Sequence, residues 1–212
     1  MSGKFLVLAL LVACGSGFQA RMVLAEEQSV EIVEVGKIPS VEVFNVYTEK
    51  WSKKDHYYAS GWMGDYGDIE INEGDTVNPF SGKTCLKITY SAERSQNAGW
   101  IGVYWQNPPN NWGDEMGGYD LTGYKKLTFR ARGEEGGEII SEFKIGGMGG
   151  TYSDSDSTAI GPVTLTKDWK EYIINLKGID LSCISGGFGF SASCNDNPNG
   201  FTFYLDDIRY EK

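Results

Sequence analysis

The sequence predicts an all-β protein, a two-sheet antiparallel β-sandwich of the jelly-roll kind. Three observations lead to this fold class. Apolar and polar residues alternate with a period of two along most of the chain, clusters of Gly, Asn, Asp and Pro separate the alternating runs, and no stretch has a convincing helical period. The 212 residues are enough for one domain of ordinary size but too few for two domains of that size.

The alternating runs each have one apolar face. In the run 84–91, for example, Leu86, Ile88 and Tyr90 alternate with mostly polar residues. Strands with one apolar face bury it by packing as two sheets around a shared core. The predicted strands are 41–47, 84–91, 99–106, 125–132, 139–146, 158–165, 169–176, 186–193 and 201–210.

Residues 1–25 predict an export signal, because Lys4 precedes an apolar run, 5–13, that is too short to span a membrane. Residues 11–15, Leu-Val-Ala-Cys-Gly, resemble a bacterial lipobox, in which Cys14 is lipidated and tethers the chain to a membrane. Cleavage after Ala25, which releases a soluble protein, is the alternative. Residues 26–40 are polar and acidic and predict a linker or tether, so we expect the domain to span 41–212.

Composition restricts the class of ligand. The formal net charge is −10, so a phosphate backbone would be repelled and we expect no nucleic-acid partner. The 6 Trp and 12 Tyr residues offer flat apolar surfaces as well as core packing. A neutral ligand fits this composition better than an anionic one.

Export permits disulfides, and three cysteines remain beyond Cys14: Cys85, Cys183 and Cys194. Residues 186–193 alternate like a strand, which places Cys183 and Cys194 on the order of 20 Å apart, whereas a disulfide needs Cα atoms within about 7 Å. Either this strand is shorter than its pattern indicates or Cys85 is the partner. The sequence leaves both open.

Catalytic groups are sparse. The single histidine, His56, lies in a polar loop, which is more typical of a solvent-exposed side chain than of a catalytic one. Sandwich glycosidases often carry carboxylates at alternating positions of a strand. Asp65, Asp68 and Glu70 come nearest to that pattern, but neighbouring glycines indicate turns. The sequence also contains no Gly-rich phosphate loop and no Cys or His spacing typical of zinc.

Aromatic side chains next to polar residues are stronger candidates for a ligand-binding site than these groups are for a catalytic site. Along residues 99–106 the alternation predicts that Trp100, Tyr104 and Gln106 share one face, with Gly102 leaving a shelf between the two rings. The residues predicted to face the core are Ile101, Val103 and Trp105. The alternative is that loops bury both faces.

Two further tryptophans, Trp62 and Trp112, stand outside the predicted strands beside Asp and Asn residues. A ring next to hydrogen-bonding groups suits the apolar face and hydroxyl rim of a sugar. The same residues could equally plug the end of the sandwich.

Two adjacent carboxylates, Asp206 and Asp207, continue the alternating aromatics of the last predicted strand. A buried carboxylate needs a cation, backbone amides or an arginine as its partner. The pair therefore either meets such a partner or ends the strand in solvent.

Residues 81–88, Ser-Gly-Lys-Thr-Cys-Leu-Lys-Ile, and residues 203–208, Phe-Tyr-Leu-Asp-Asp-Ile, together resemble the jelly-roll carbohydrate-binding modules with a galactose-binding-like fold. The resemblance covers residues 41–212. It implies a structural calcium held by the Asp206 carboxylate, the backbone carbonyl of Lys83 and the Glu49 carboxylate, and hard oxygen ligands suit calcium. The usual Phe-Glu-Asp-Gly start is absent, which leaves Glu49 without its motif, and Asp207 is the alternative to Asp206.

We therefore predict an exported, non-catalytic carbohydrate-binding domain that recognises a glycan through surface side chains. The predicted ligand-binding residues are Trp62, Trp100, Tyr104, Gln106 and Trp112. One alternative is a lipid-anchored structural or assembly protein at the cell surface, whose aromatics form a protein interface. The other is a polysaccharide-cleaving enzyme that uses Asp65, Asp68 or His56.

Overall fold

Two antiparallel sheets packed face to face make up the computed structural model, which describes residues 42–212. The fold is the predicted all-β sandwich. The export signal, the lipobox with Cys14 and the linker at 26–40 lie outside the described residues. Within the described range no helix is long and apolar enough to cross a membrane.

The described part of the chain contains thirteen strands and one 3₁₀ turn, Tyr66–Asp68. In chain order the strands are β1 Val43–Tyr47, β2 Tyr58–Gly64, β3 Ile69–Asp75, β4 Cys85–Tyr90, β5 Trp100–Gln106, β6 Lys126–Gly133, β7 Ile139–Ile140, β8 Glu142–Gly146, β9 Ser157–Ile160, β10 Val163–Thr164, β11 Lys170–Asn175, β12 Gly186–Ser193 and β13 Phe201–Glu211.

The first sheet has the order β11-β6-β13-β4-β3, with β1 also paired to β13. The second sheet has the order β2-β5-β12-β8-β9, and β7 pairs with β10 as a short ribbon. Sequence neighbours such as β4 and β5 lie in different sheets. The chain therefore crosses between the sheets repeatedly, as a jelly-roll sandwich requires.

Each of the nine predicted runs contains a strand, but two strands were not predicted. The β2 strand carries Gly61 and Gly64, and its pairing with β5 shifts register between Ala59 and Gly61, so its alternation is interrupted. The β3 strand is a sheet edge whose apolar face is short, because only Ile69 and Ile71, both half-buried against the core, alternate with polar residues. The predicted run 158–165 divides into β9 and β10 at Pro162, which has no N–H for a ladder bond.

The core lies between the inner faces of the two sheets. The first sheet contributes Leu86, Ile88, Phe129 and Phe203, and the second contributes Trp105, Phe143, Phe188 and Phe190, all at most 1% exposed. Many rings meet edge to face or tilted, such as Phe190 with Phe203 at 5.0 Å between centroids. Fully burying one such side chain contributes about 1.5–3 kcal/mol, so this aromatic layer holds the sheets together.

The three cysteines of the described range, Cys85, Cys183 and Cys194, all carry free thiols. The β12 strand extends over the full run Gly186–Ser193 and separates Cys183 from Cys194. No disulfide therefore contributes to the stability of the sandwich between residues 42 and 212.

Candidate functional site

The inward and outward sides of the β5 strand are those predicted from its alternating sequence. Ile101, Val103 and Trp105 are buried in the core, at 0%, 0% and 1% exposure. Trp100 and Tyr104 alternate with them and project from the outer face of the second sheet. This outer face is the one on which the aromatic surface residues were predicted.

Trp100 lies flat on that outer face and remains 40% exposed. Its ring occupies the space above Gly102, where a Cβ atom would lie 3.2 Å from Cζ3. At Gly64 a Cβ atom would meet the Trp100 carbonyl group first and would also lie 3.1 Å from Cδ2 of the ring. The Met63 methyl group shares the space above Gly102. The glycines thus allow the indole to lie against the sheet, and the shelf predicted at Gly102 is filled by the protein's own side chains.

Tyr104 and Gln106 are buried, which corrects the prediction that they line an open surface. Tyr104 is 4% exposed and Gln106 is 0% exposed. The Tyr104 hydroxyl donates to the carbonyl of Gly146 at 2.9 Å, and Gln106 Nε2 donates to the carbonyl of Asn111 at 2.9 Å. The segments 107–118 and 147–156 fold over this end of β5, so neither side chain offers a free surface.

Trp112 belongs to the covering segment and is half-buried. It stands edge-on to Tyr104, with 6.3 Å between ring centroids and an interplanar angle of 89°. Its indole N–H donates to Asn110 Oδ1 at 3.2 Å. Trp112 therefore borders the covered end of the outer face, while Trp100 lies at the open end.

Polar side chains stand beside Trp100 on the same face. Strand register places Ser193 opposite Trp100, and Ser191 opposite both Gly102 and Glu142. Lys144 is in the next row, 3.7 Å from the Glu142 carboxylate. We call this set, Trp100 with Ser191, Ser193 and Glu142, the Trp100 platform. It combines an apolar plane with hydrogen-bonding groups along its side.

Trp62 lies elsewhere. It is 39% exposed and is in register with Val103, which points into the core. Side chains directly opposite each other on paired strands share a face, so Trp62 projects from the inner side of the edge strand β2. There it borders Ile71 of β3. The structure does not bring Trp62 together with Trp100.

Asp65 and Asp68 hold the loop that precedes Trp100. The Asp65 carboxylate accepts N–H groups of Gln96, Ala98 and Gly99 at 3.0, 2.8 and 2.7 Å, and the Asp65 N–H donates to the Trp100 carbonyl at 2.8 Å. Asp68 accepts the Arg94 N–H in the same loop.

Burial would raise the pKa of Asp65, but the backbone hydrogen bonds outweigh it and lower the pKa below its ordinary value. The sequence alone offers both aspartates as candidate catalytic groups. The observed bonds make them positioning residues for the start of β5. His56 is likewise engaged: its ring stacks on Phe44 at 3.9 Å between centroids.

The carboxylates predicted to bind calcium have N–H groups as partners. Asp206 is 0% exposed, and its Oδ2 accepts the N–H groups of Phe80 and Ser81 at 2.9 and 3.1 Å. Glu49 accepts the Lys83 N–H at 2.6 Å and the Thr84 N–H at 3.1 Å. The Thr84 hydroxyl also donates to Glu49 at 2.7 Å. Burial raises the pKa of Asp206 to about 6, so its backbone hydrogen bonds offset only part of the cost of burying this carboxylate.

Across residues 42–212, no group of three or more His, Cys, Asp or Glu side chains is arranged to hold a metal ion. The donor oxygens of Asp206 and Glu49 have the right chemistry for calcium, but amides occupy much of their acceptor capacity. The structure thus lends the calcium site no support. Calcium binding stays a prediction.

The Asp206–Asp207 pair has a structural place in β13. Pairing with β6 shifts register between Asp206 and Arg209, and Asp207 has a φ of 48°. At this bulge β13 changes partner, from β4 up to Leu205 to β1 from Ile208 onward. Backbone amides are therefore the partner that the buried Asp206 charge requires.

A jelly-roll sandwich with a flat, exposed aromatic ring and polar side chains on the outer face of one sheet is the architecture of a carbohydrate-binding module. The family model described as carbohydrate binding domain 30 matches residues 43–212, and the chain belongs to this family. Domains of this family are non-catalytic binding modules.

Solved structures agree with the fold. A family 30 carbohydrate-binding module is similar with a TM-score of 0.55 and 21% identity, covering 80% of this chain and 87% of that one. The family 30 module of the cellulosomal cellulase Cel9D-Cel44B of Clostridium thermocellum is similar with a TM-score of 0.53 and 19% identity, covering 80% of this chain and 96% of that one. A comparison with curated proteins gives no match.

Proposed function

We propose that this domain binds a neutral polysaccharide on the Trp100 platform and that the chain acts by binding rather than by catalysis. The observation that carries the proposal is the position of Trp100, whose ring lies flat over Gly102 and Gly64 while 40% of the residue stays exposed. A flat ring fixed against a sheet offers its free face to a ligand at little cost in side-chain entropy.

The chemistry around the ring favours a sugar. The apolar face of a pyranose can stack on the indole, and the hydroxyl and carboxylate groups of Ser191, Ser193 and Glu142 can hydrogen-bond the hydroxyl rim. The net charge of −10 opposes a polyanionic glycan. The outer face of β5 is open only at Trp100 and is covered from Tyr104 onward. Because the exposed ring is not enclosed in a pocket, it can accept one unit of a longer sugar chain.

Replacing Trp100 with alanine is expected to weaken polysaccharide binding at least about tenfold, because an exposed stacking residue at the centre of a site accounts for a large share of the binding free energy. The measurement is affinity electrophoresis in gels with hydroxyethylcellulose, xylan or glucomannan. The control is Ile173→Ala, which removes a 46% exposed apolar side chain from the other sheet. Equal retention of Trp100→Ala and wild type, or no retention of the wild type in any gel, would contradict the proposal.

We further propose export, on the strength of the apolar run 5–13 after Lys4. Lipidation of Cys14 would tether the module at the cell envelope, whereas cleavage after Ala25 would release it. A surface or extracellular location would give the module access to polysaccharide.

Calcium is a separate part of the proposal. If Asp206, Glu49 and the Lys83 carbonyl hold calcium, as the resemblance implies, EDTA is expected to lower the melting temperature and added calcium to restore it, because a metal bound only to the native state stabilises that state. The Asp206→Asn variant, which keeps the shape of the side chain, should then lose the response to EDTA. An unchanged melting temperature in the wild type would contradict the calcium site and leave these carboxylates with only their hydrogen bonds within the protein.

A further inference from the structure

A second group of exposed aromatics lies at the edge of the sandwich where β2 and β3 approach each other. Trp51 is 86% exposed, Tyr58 is 56% exposed and Trp62 is 39% exposed. Two cavities of about 290 and 140 Å³ adjoin here and share Lys50, Trp51 and Glu73. Trp62 lines the larger cavity and Tyr58 the smaller. We call this feature the edge groove.

The edge groove is distinct from the Trp100 platform. Trp62 projects from the inner side of β2, in register with the core residue Val103, whereas Trp100 lies on the outer face of the same sheet. The groove also includes Ile71 and Asn72 of the first sheet. A ligand in the groove therefore contacts both sheets at their edge and does not lie on the outer face.

The backbone on both sides of Trp51 is hydrogen-bonded, and Lys50 Nζ lies 5.4 Å from the centroid of its exposed ring. Trp51 has a φ of 66°, which is strained for a bulky residue. The Lys50 N–H donates to Thr84 Oγ1 at 3.0 Å, and the Ser52 N–H donates to the Glu49 carbonyl at 3.0 Å. An indole that is exposed to solvent on a strained, hydrogen-bonded turn is typical of a preorganised contact residue.

The size of the exposed surface decides between a protein partner and a smaller ligand. The exposed fractions of the three rings correspond to roughly 300–450 Å² of aromatic surface. A stable protein interface buries about 800 Å² on each partner. The rings alone offer about half of that area at most, which suits a short glycan segment better than a protein.

The polar groups at the groove favour the same ligand class. Lys50, Asn72 and Glu73 line it together with the rings, so donors and acceptors surround the apolar surface. We propose that the edge groove is a second glycan-binding site, with Trp51 as its main stacking residue. This inference rests on the proposed function for its ligand class but uses none of the residues of the Trp100 platform.

Isothermal titration with cellohexaose, mannohexaose and xylohexaose tests the inference through stoichiometry. We expect the wild type to bind two molecules of one hexasaccharide, Trp51→Ala to bind one, and Trp100→Ala to bind one. Trp62→Ala, which removes the ring beside Trp51 in the larger cavity, is expected to weaken the same site that Trp51→Ala removes. The control is Val77→Ala, a 62% exposed apolar residue away from the groove, which should keep both sites. Melting temperatures confirm that each variant is folded.

The outcomes separate the two proposals. One hexasaccharide per wild-type chain, lost in Trp100→Ala and kept in Trp51→Ala, would overturn the second site and leave the Trp100 platform intact. Binding that is lost in Trp51→Ala and unchanged in Trp100→Ala would support the edge groove and overturn the platform.

Discussion

Replacing Asp65 with alanine is expected to lower the melting temperature by about 10 °C and to weaken polysaccharide binding as well. The Asp65 side chain is 0% exposed, and its carboxylate accepts three backbone N–H groups of residues 96–99. Alanine would leave these donors without a partner beside the core. Because the loop 96–99 leads directly into Trp100, its release would also move the ring that we propose as the binding platform. Differential scanning calorimetry and affinity electrophoresis measure the two effects.

Glu70→Ala is the matched control, since Glu70 is an exposed carboxylate of the same Asp-Tyr-Gly-Asp-Ile-Glu segment. It should change the melting temperature by no more than about 2 °C. If Asp65 were instead a catalytic group, Asp65→Ala would keep its melting temperature and lose a cleavage activity of the wild type. That result would contradict the positioning role.

Replacing Glu211 with glutamine is expected to destabilise the protein by about 2 kcal/mol at pH 7, with a loss that disappears in acid. Burial would raise the pKa of Glu211, but hydrogen bonds from Lys126, Arg209 and Thr128 outweigh burial and lower the pKa to about 2. The contacts measure 2.8 Å to Lys126 Nζ and 2.9 Å to both Arg209 Nε and Thr128 Oγ1. This expected loss of stability is smaller than the full pKa shift implies, because Lys126 is partly exposed and solvent screens the Lys126–Glu211 pair.

The sign of the pH dependence follows from the lowered pKa. The ionised carboxylate stabilises the fold fully above pH 4.5, its ordinary pKa, and this contribution is lost as the pH falls towards 2. Urea unfolding of wild type and Glu211→Gln at pH 7 and pH 2.5 measures the difference. The control is Glu171→Gln, which breaks the more exposed Arg130–Glu171 pair and should cost at most about 1 kcal/mol. A constant difference between Glu211→Gln and wild type at both pH values would show that the charge is not involved.

The local pattern predicted most of the strands, and the reason is physical. The two faces of a strand are set by its own backbone, so the burial of Ile101, Val103 and Trp105 followed from alternation alone. The β2 and β3 strands escaped prediction because edge strands need no continuous apolar face. Their pairing partners, β5 and β4, supply the order that their own sequences lack.

The candidate site was only partly predictable. Trp100 was placed correctly on an outer face, but Tyr104 and Gln106 on that same face are covered by segments 107–118 and 147–156. Trp51, at 86% exposure, is not predicted from the sequence because it lies in a charged loop without a repeating pattern. Its exposure depends on where β2 and β3 meet across the two sheets.

The sequence by itself determined the fold class, the likeness to carbohydrate-binding modules and the inward and outward sides of β5, since each can be read from local alternation or from short motifs without knowing which segments come into contact. Only the tertiary structure decided which outward side chains remain free. Whether a loop covers Tyr104, whether amides of residues 80–81 satisfy Asp206, and whether Trp62 joins Trp51 or Trp100 all depend on contacts between distant segments. Such contacts form only when the sheets pack, because long-range burial and hydrogen bonding are properties of the whole sandwich.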